Sequence, residues 1–508
     1  MPKDGAGNVR THVSPGSGRI ASVPLAGNCP APPTRPGLTE GRWGPRFGGM
    51  IAVPVFIFLS VLLVCGKILR VRIPLLQRLY LPSSVIGGLL GLALMTAFPG
   101  LVPEEWVAAV RSCPGFLINI IFATLFLGVA APALGPSLRL AFPQLCFGQL
   151  LAWGQYVLGL GLAGFLLAPL FGVPPAFGNL LEIGFQGGHG TVGGMAESFR
   201  ACGWPDGIDL GVTVATVGMI VGVVLGMALV NWAHRRGYVQ EVRSFEDRPL
   251  FERRGIHPPD ARPAAGRQTV VCDSVDSLAW HIAVVGLAVG IGWLALEGLK
   301  AGEIALFPDA EHRLFQGFPL FPLCMIGGVL MQEAVRACGG SLLVDHGQMQ
   351  RISGAALDYL VLSAVATIKL SVVAANWLPL LAICLAGTLL SLLMVVHLAP
   401  RLFREAWFER AIAEFGQSTG VTATGLLLLR TVDPEHRTVA AASFGYKQLL
   451  HEPFMGGGLW TAFAFTLVYA IGWFKVWALS VAMTLFWAAV AAVIVRRNRR
   501  ARGRVERG

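Results

Sequence analysis

Long apolar runs alternate along this chain with short stretches of charged, proline and glycine residues. A hydrocarbon core of ~30 Å is crossed by about 20 apolar residues rising 1.5 Å each. On that scale the runs predict crossings near 50–69, 79–98, 114–134, 145–171 and 207–232. Others follow near 278–297, 315–335, 353–373, 377–399, 438–472 and 475–495, eleven in all. Two further apolar stretches, 174–203 and 402–431, are too rich in glycine and threonine to read as ordinary spans.

Composition agrees with an all-α polytopic membrane protein: 54% of residues are hydrophobic and 14% charged, against about 25% charged in soluble domains. The net charge of +11 does not call for a nucleic-acid partner, because the basic residues gather in loops and in the tail, where membrane orientation explains them. Nine cysteines are scattered without a C-x-x-C pair, so neither a disulfide framework nor a zinc site is expected.

The organisation predicted is a first five-span unit over 50–232, a basic loop over 233–277 and a second five-span unit over 278–472. An extra membrane helix and arginine-rich tail occupy 473–508. Placing that tail, with its seven arginines from Arg496 to Arg507, in the cytoplasm also puts Lys67, Arg70, Arg72 and Arg78 inside. Glu104, Glu105, Asp309 and Glu311 then lie outside, which gives an N-out, C-in orientation by the positive-inside rule. Residues 1–49 hold six Lys/Arg and two acids, are rich in Pro and Gly, and lack an apolar signal core. They read as a disordered or mis-called extension ahead of a start at Met50.

The two units repeat each other. LPSSVIGGLLG, with Pro82, Gly87 and Gly88, is echoed by FPLCMIGGVLM, with Pro322, Gly327 and Gly328, at an offset of 240. GFQGGHGTVGG (184–194) is echoed by FGQSTGVTATG (415–425) at about 230, and Ala215-Thr-Val-Gly218 by Ala442-Ser-Phe-Gly445 at 227. Each unit has five crossings, an odd number, so the second is expected to be inverted relative to the first.

Six glycines in the eleven residues of 184–194 make a regular helix costly, at roughly 1 kcal/mol per interior Gly. Irregular backbone inside a membrane is tolerated where it lines a cavity. Helix N-termini there offer N–H donors to a carboxylate, and freed carbonyls hold a cation. Each Gly/Thr stretch is therefore predicted to be a re-entrant hairpin whose tip binds a solute and its coupling ion.

The QGGHGT run, the Pro-x4-Gly-Gly spans and the five-plus-five arrangement resemble the bacterial sodium:glutamate symporter family over about 50–472. The resemblance implies a secondary transporter, without enzymatic activity, that takes glutamate or a related acidic solute into the cell with Na⁺. It also implies residence in the bacterial inner membrane and a homodimer. Na⁺ is expected as the coupling ion, with no cofactor and no other metal. In the second signature Gly416, Gly420, Thr422 and Thr424 follow the family pattern, whereas Glu414, Gln417, Ser418 and Thr419 give a more hydroxylated loop.

The candidate site comprises Gln186, Gly187, Gly188, His189, Gly190, Thr191 and Thr216 from the first unit. Gln417, Ser418, Thr419, Gly420, Thr422, Thr424 and Ser443 come from the second. His189 either binds a carboxylate or fixes the loop. The hydroxyls either meet substrate and Na⁺ or bond back to the preceding turn. Glu414 is a candidate cation or proton site, or else a wetted flank near Arg410. Lys447, followed by His451 and Glu452, is a counter-charge for an acidic substrate or half of a neutralised pair; Lys369 is a second lysine within a predicted span. Gly218, Gly222 and Gly226 form G-x-x-x-G steps for close helix packing.

Four other readings compete. Another carboxylate could be the cargo, or protons could drive transport through Glu414, or the protein could bind without transporting. Gly416-Gln-Ser-Thr-Gly420 also matches the G-x-S-x-G nucleophile elbow of an intramembrane serine hydrolase, but no strand pattern precedes it.

Overall fold

The computed structural model describes residues 49–505 apart from 130–133, 240–244, 246–247, 309–313 and 436. The extension ahead of Gly49, and Asp309 and Glu311 of the predicted outer loop, lie outside the described residues.

Among the described residues the chain is all-α, with no strand. The principal helices are α1 (Gly49–Arg72), α2 (Ser83–Ala97), α3 (Glu104–Thr124), α4 (Leu138–Phe171) and α5 (Gly207–Arg235), then α6 (Ser277–Leu306), α7 (Phe321–Ala337) and α8 (His346–Ala366). They continue with α9 (Trp377–Leu402), α10 (Ala440–His451), α11 (Leu459–Ile471) and α12 (Trp473–Val505). Seven of the described helices are long and apolar enough to cross a membrane by themselves. The other predicted crossings fall on helices that are shorter, such as α2 and α11, or less apolar.

Several boundaries differ from expectation for local reasons. Helix α3 starts at Glu104 after Pro103, not at 114, because acids in a first turn favour the positive end of the helix dipole and Arg111 pairs inward with Asp209. The predicted span 353–373 stops at Ala366, and exposed Lys369 starts a separate short helix, Leu370–Ala375. Its backbone N–H donates to Asp209 Oδ1 at 2.9 Å, so this lysine sits at a helix break. The stretch 438–472 is two helices, broken where Pro453 precedes Gly456 and Gly457, at φ 68° and 106°.

The repeated Pro-Gly-Gly helices pack in matching ways. A methyl group on Gly87 of α2 would fall 2.6 Å from Leu62 O of α1, and one on Gly88 would strike Leu362 and Val365 of α8. In α7 the matching contacts are Gly327 on Ala288 O of α6, at 2.1 Å, and Gly328 on Ala123 O of α3, at 2.3 Å. Thus α1–α3 and α6–α8 interlock. Helices α4, α5 and α9–α12 pack with the two Gly/Thr segments; Trp477 Nε1 of α12 donates to Val157 O of α4 at 3.1 Å.

Candidate functional site

Both Gly/Thr segments are helical on either side of a single break. Residues 175–201 form short helical turns, with a wide turn over Ile183–Gly187 and then the helices Gly188–Gly194 and Ala196–Ala201. The expectation that 184–194 is largely irregular is therefore corrected: only Gly188, at φ 71° and ψ −168°, leaves the helix. The other glycines serve close contact instead, Gly184 with Val214, Gly193 with Pro114 and Gly194 with Phe321. The chain doubles back, since the rings of Phe177 and Trp204 lie 6.3 Å apart.

The second segment, Trp407–Val432, breaks at Gly420 and at Val421, whose φ is 62° and ψ 174°. A methyl group on Gly416 would sit 2.6 Å from Gly425 Cα, so its two arms run side by side. The tips meet. A Cβ on Gly188 would lie 2.5 Å from Val421 Cγ1. Against this pair, Gly218 and Gly222 of α5 receive Thr419, whose carbonyl would be 2.3 Å and whose hydroxyl 2.7 Å from added methyl groups.

Around the tips lies a buried polar network. Gln186 Nε2 donates to Gln155 Oε1 (3.0 Å), and Gln155 Nε2 donates to Ser418 O (2.7 Å). Gln186 Oε1 accepts from His451 Nε2 (3.3 Å) and from Gln417 Nε2 (3.4 Å). Gln149 Nε2 donates to His451 Nδ1 at 3.2 Å, which fixes a neutral imidazole protonated on Nε2. Gln417 Oε1 is buried with no partner among the described residues.

The hydroxyls sort by where their single proton goes. Thr191 donates to Gly187 O, Thr216 to Val212 O, Thr419 to Phe415 O and Ser443 to Val439 O. Ser418 donates to Phe415 O at 3.1 Å. A hydroxyl so engaged keeps lone pairs but has no proton left for a carboxylate, so these groups are suited to ligating a cation. His189 Nε2 therefore donates to Thr216 Oγ1 (2.9 Å), leaving Nδ1 as an acceptor. Thr424 is buried beside Gly420, Gly187 meets Thr191 and Gly190 faces Ile118.

Glu414 is fully buried and is not a wetted flank. It accepts from Lys447 Nζ and from Gln144 Nε2, both at 3.0 Å. Arg410 Nε donates to Gln144 Oε1 at 2.8 Å. Lys447 also donates to Gln448 (2.7 Å), Gln448 donates to Thr422, and Thr422 donates to Glu452 (3.3 Å). Lys447 is thus paired with Glu414, one turn of partners away from the second tip.

Sequence reasoning missed Glu182 and the row Gln144, Gln149, Gln155 and Tyr156 on α4. Glu182 has no exposure and accepts from Tyr156 Oη (2.6 Å), Gly456 N (2.8 Å) and Thr461 Oγ1 (3.0 Å). A signal was present: Glu182, Gly184 and Gly188 recur as Glu414, Gly416 and Gly420, each at an offset of 232.

A cavity of about 500 Å³ opens away from the tips, at the base of the second hairpin, beside Glu405, Glu409, Asp433, Glu435 and Arg437. Ser418, the serine of the elbow-like motif, lies on a helix and contacts Ser391 Oγ (3.2 Å) rather than a histidine.

Comparison with known protein families matches residues 50–424 to the sodium/glutamate symporter family. The chain belongs to that family. It is a membrane-embedded secondary transporter that couples glutamate to Na⁺. The matched region includes both tips and stops within the return arm of the second hairpin, short of α10. No curated protein matches the chain.

Proposed function

We propose that this symporter binds its cargo where the two hairpin tips meet. The observation that carries the reading is the contact between Gly188 and Val421, two breaks of the same backbone shape ringed by buried amides. Helix termini at such breaks supply N–H donors for a carboxylate. The hydroxyl oxygens of Thr191, Thr216, Ser418, Thr419 and Ser443, with Gln417 Oε1, supply cation ligands. Gln186, Gly187, Gly190, Gly420, Thr422 and Thr424 frame the site, and His189 Nδ1 is an acceptor for the cargo's ammonium group.

The matching contacts of α2 and α7 support two repeats of inverted topology, 50–232 and 278–472, linked by the loop 233–277. The hairpins then reach the tips from opposite leaflets. Alternating access follows from the hairpin-bearing helices moving against the interlocked α1–α3 and α6–α8. A solute can enter only when the tips part. The basic tail supports a cytoplasmic C-terminus by the positive-inside rule, and we read uptake as inward, across a bacterial inner membrane, by a homodimer. Catalysis is no part of this reading.

Uptake of labelled glutamate into proteoliposomes tests it. An inward Na⁺ gradient is expected to drive accumulation, and Gly188→Val to abolish it. Accumulation driven by an acidic exterior without Na⁺, or normal uptake by Gly188→Val, would overturn the proposal.

A further inference from the structure

The two hairpins each bury a carboxylate at the same distance before the break, yet the two are compensated differently. Glu414 has the ammonium of Lys447. Glu182 has only neutral donors: a tyrosine hydroxyl, a threonine hydroxyl and a main-chain N–H. The ionised form of Glu182 can accept all three of these hydrogen bonds at once, and no cationic side chain pairs with it among the described residues. A buried ionised carboxylate without a cation is unfavourable. In its ionised form Glu182 is therefore short of one positive charge.

What surrounds it is rich in oxygen. The Gly456 N–H that bonds Glu182 belongs to the break between α10 and α11. Among the described residues, the main-chain oxygens of Met455, Gly456 and Gly457 accept no hydrogen bond. Thr461 Oγ1 donates to Glu182 and accepts from Gly457 N at 3.1 Å. Thr191 Oγ1, its own proton given to Gly187 O, would lie 2.3 Å from a methyl group on Gly457. Hard cations take carboxylate, carbonyl and hydroxyl oxygens.

We infer that Glu182 is the charged ligand of a Na⁺ site built between the first arm of the first hairpin and the Met455–Gly458 break. This inference rests on the Na⁺-coupled reading above, but it places one ion away from the meeting tips. Na⁺ there supplies the absent charge and ties the break to α4 through Tyr156. Because Gly456 also adjoins Gln186 O and Gln417 Nε2, the ion orders the floor beneath both tips before the cargo arrives.

The test is Na⁺ binding to the purified full chain without glutamate, read by ²²Na⁺ retention and by tryptophan fluorescence. The rings of Trp153 and Trp460 lie 4.8 Å apart, inclined at 46°, next to Tyr156 and report on the site. Glu182→Gln is expected to weaken Na⁺ binding at least tenfold and to remove the fluorescence response. Thr461→Val is expected to weaken binding at least threefold, and it decides the matter where Glu182→Gln does not fold. Wild-type affinity, within twofold, in whichever variant folds would overturn the site while leaving the symport reading intact. A wild-type chain that binds no Na⁺ would instead overturn the reading on which the site rests.

Discussion

Gly188 and Val421 meet at the two hairpin tips, each with positive φ and nearly extended ψ. This region of backbone space is close to glycine-only. The first tip obeys that rule and the second does not: a β-branched valine holds the strained position, where strain costs about 1–3 kcal/mol. Val421→Gly is expected to stabilise the protein by about 1 kcal/mol, part of the relief being offset by added chain entropy in the unfolded state. A raised thermal midpoint with a weaker apparent affinity for glutamate would bear this out.

Gly188→Val adds both a clash and a forbidden backbone angle. Membrane insertion is expected to be normal, while uptake is abolished. Surface labelling and uptake measured on the same cells separate the two effects.

Glu414 and Lys447 form a pair with no exposure. Losing one partner leaves a buried charge and costs about 3–5 kcal/mol. Glu414→Gln and Lys447→Met are each expected to lower the thermal midpoint sharply. The double variant should be more stable than either single one, since no unpaired charge is left. Equal, additive losses would refute the coupling.

Gly218 and Gly445 hold the same place in their tetrapeptides but not in the structure. Gly218 receives Thr419 O, whereas nothing lies within 4 Å of a methyl group on Gly445. Gly218→Ala is expected to displace the second tip and cut uptake at least tenfold. Gly445→Ala is expected to leave stability within about 0.5 kcal/mol, as for surface substitutions away from special features.

Ser418 donates to Phe415 O and has no histidine partner, so a fluorophosphonate probe is expected to leave it unmodified. Mass spectrometry of the peptide bearing Ser418 checks this.

The helical class, the two Gly/Thr segments and the family were legible because apolar length, glycine clustering and QGGHGT are local signals. The partnerships were not. Glu182 meets Gly456 and Thr461 across most of the chain, and an isolated glutamate beside apolar residues does not announce its donors. Gln144, Gln149 and Gln155 stand singly in a hydrophobic run, and nothing local to them announces Glu414, His451 and Ser418 as their partners. The run 438–472 read as continuous because hydropathy averages over Pro453 and three glycines that the backbone cannot ignore. Glu414 was noticed but its surroundings were open, because burial depends on where Lys447 of a distant helix arrives.

The joint between α10 and α11 has a mechanical consequence. A stiff rod passes any tilt at one end to the other, whereas a hinged one lets its halves settle independently. The half that carries Lys447 can keep its ion pair shut while the half that carries Thr461 shifts. Under the alternating access proposed above, such a joint would let the interior stay electrically neutral while a route for the cargo opens.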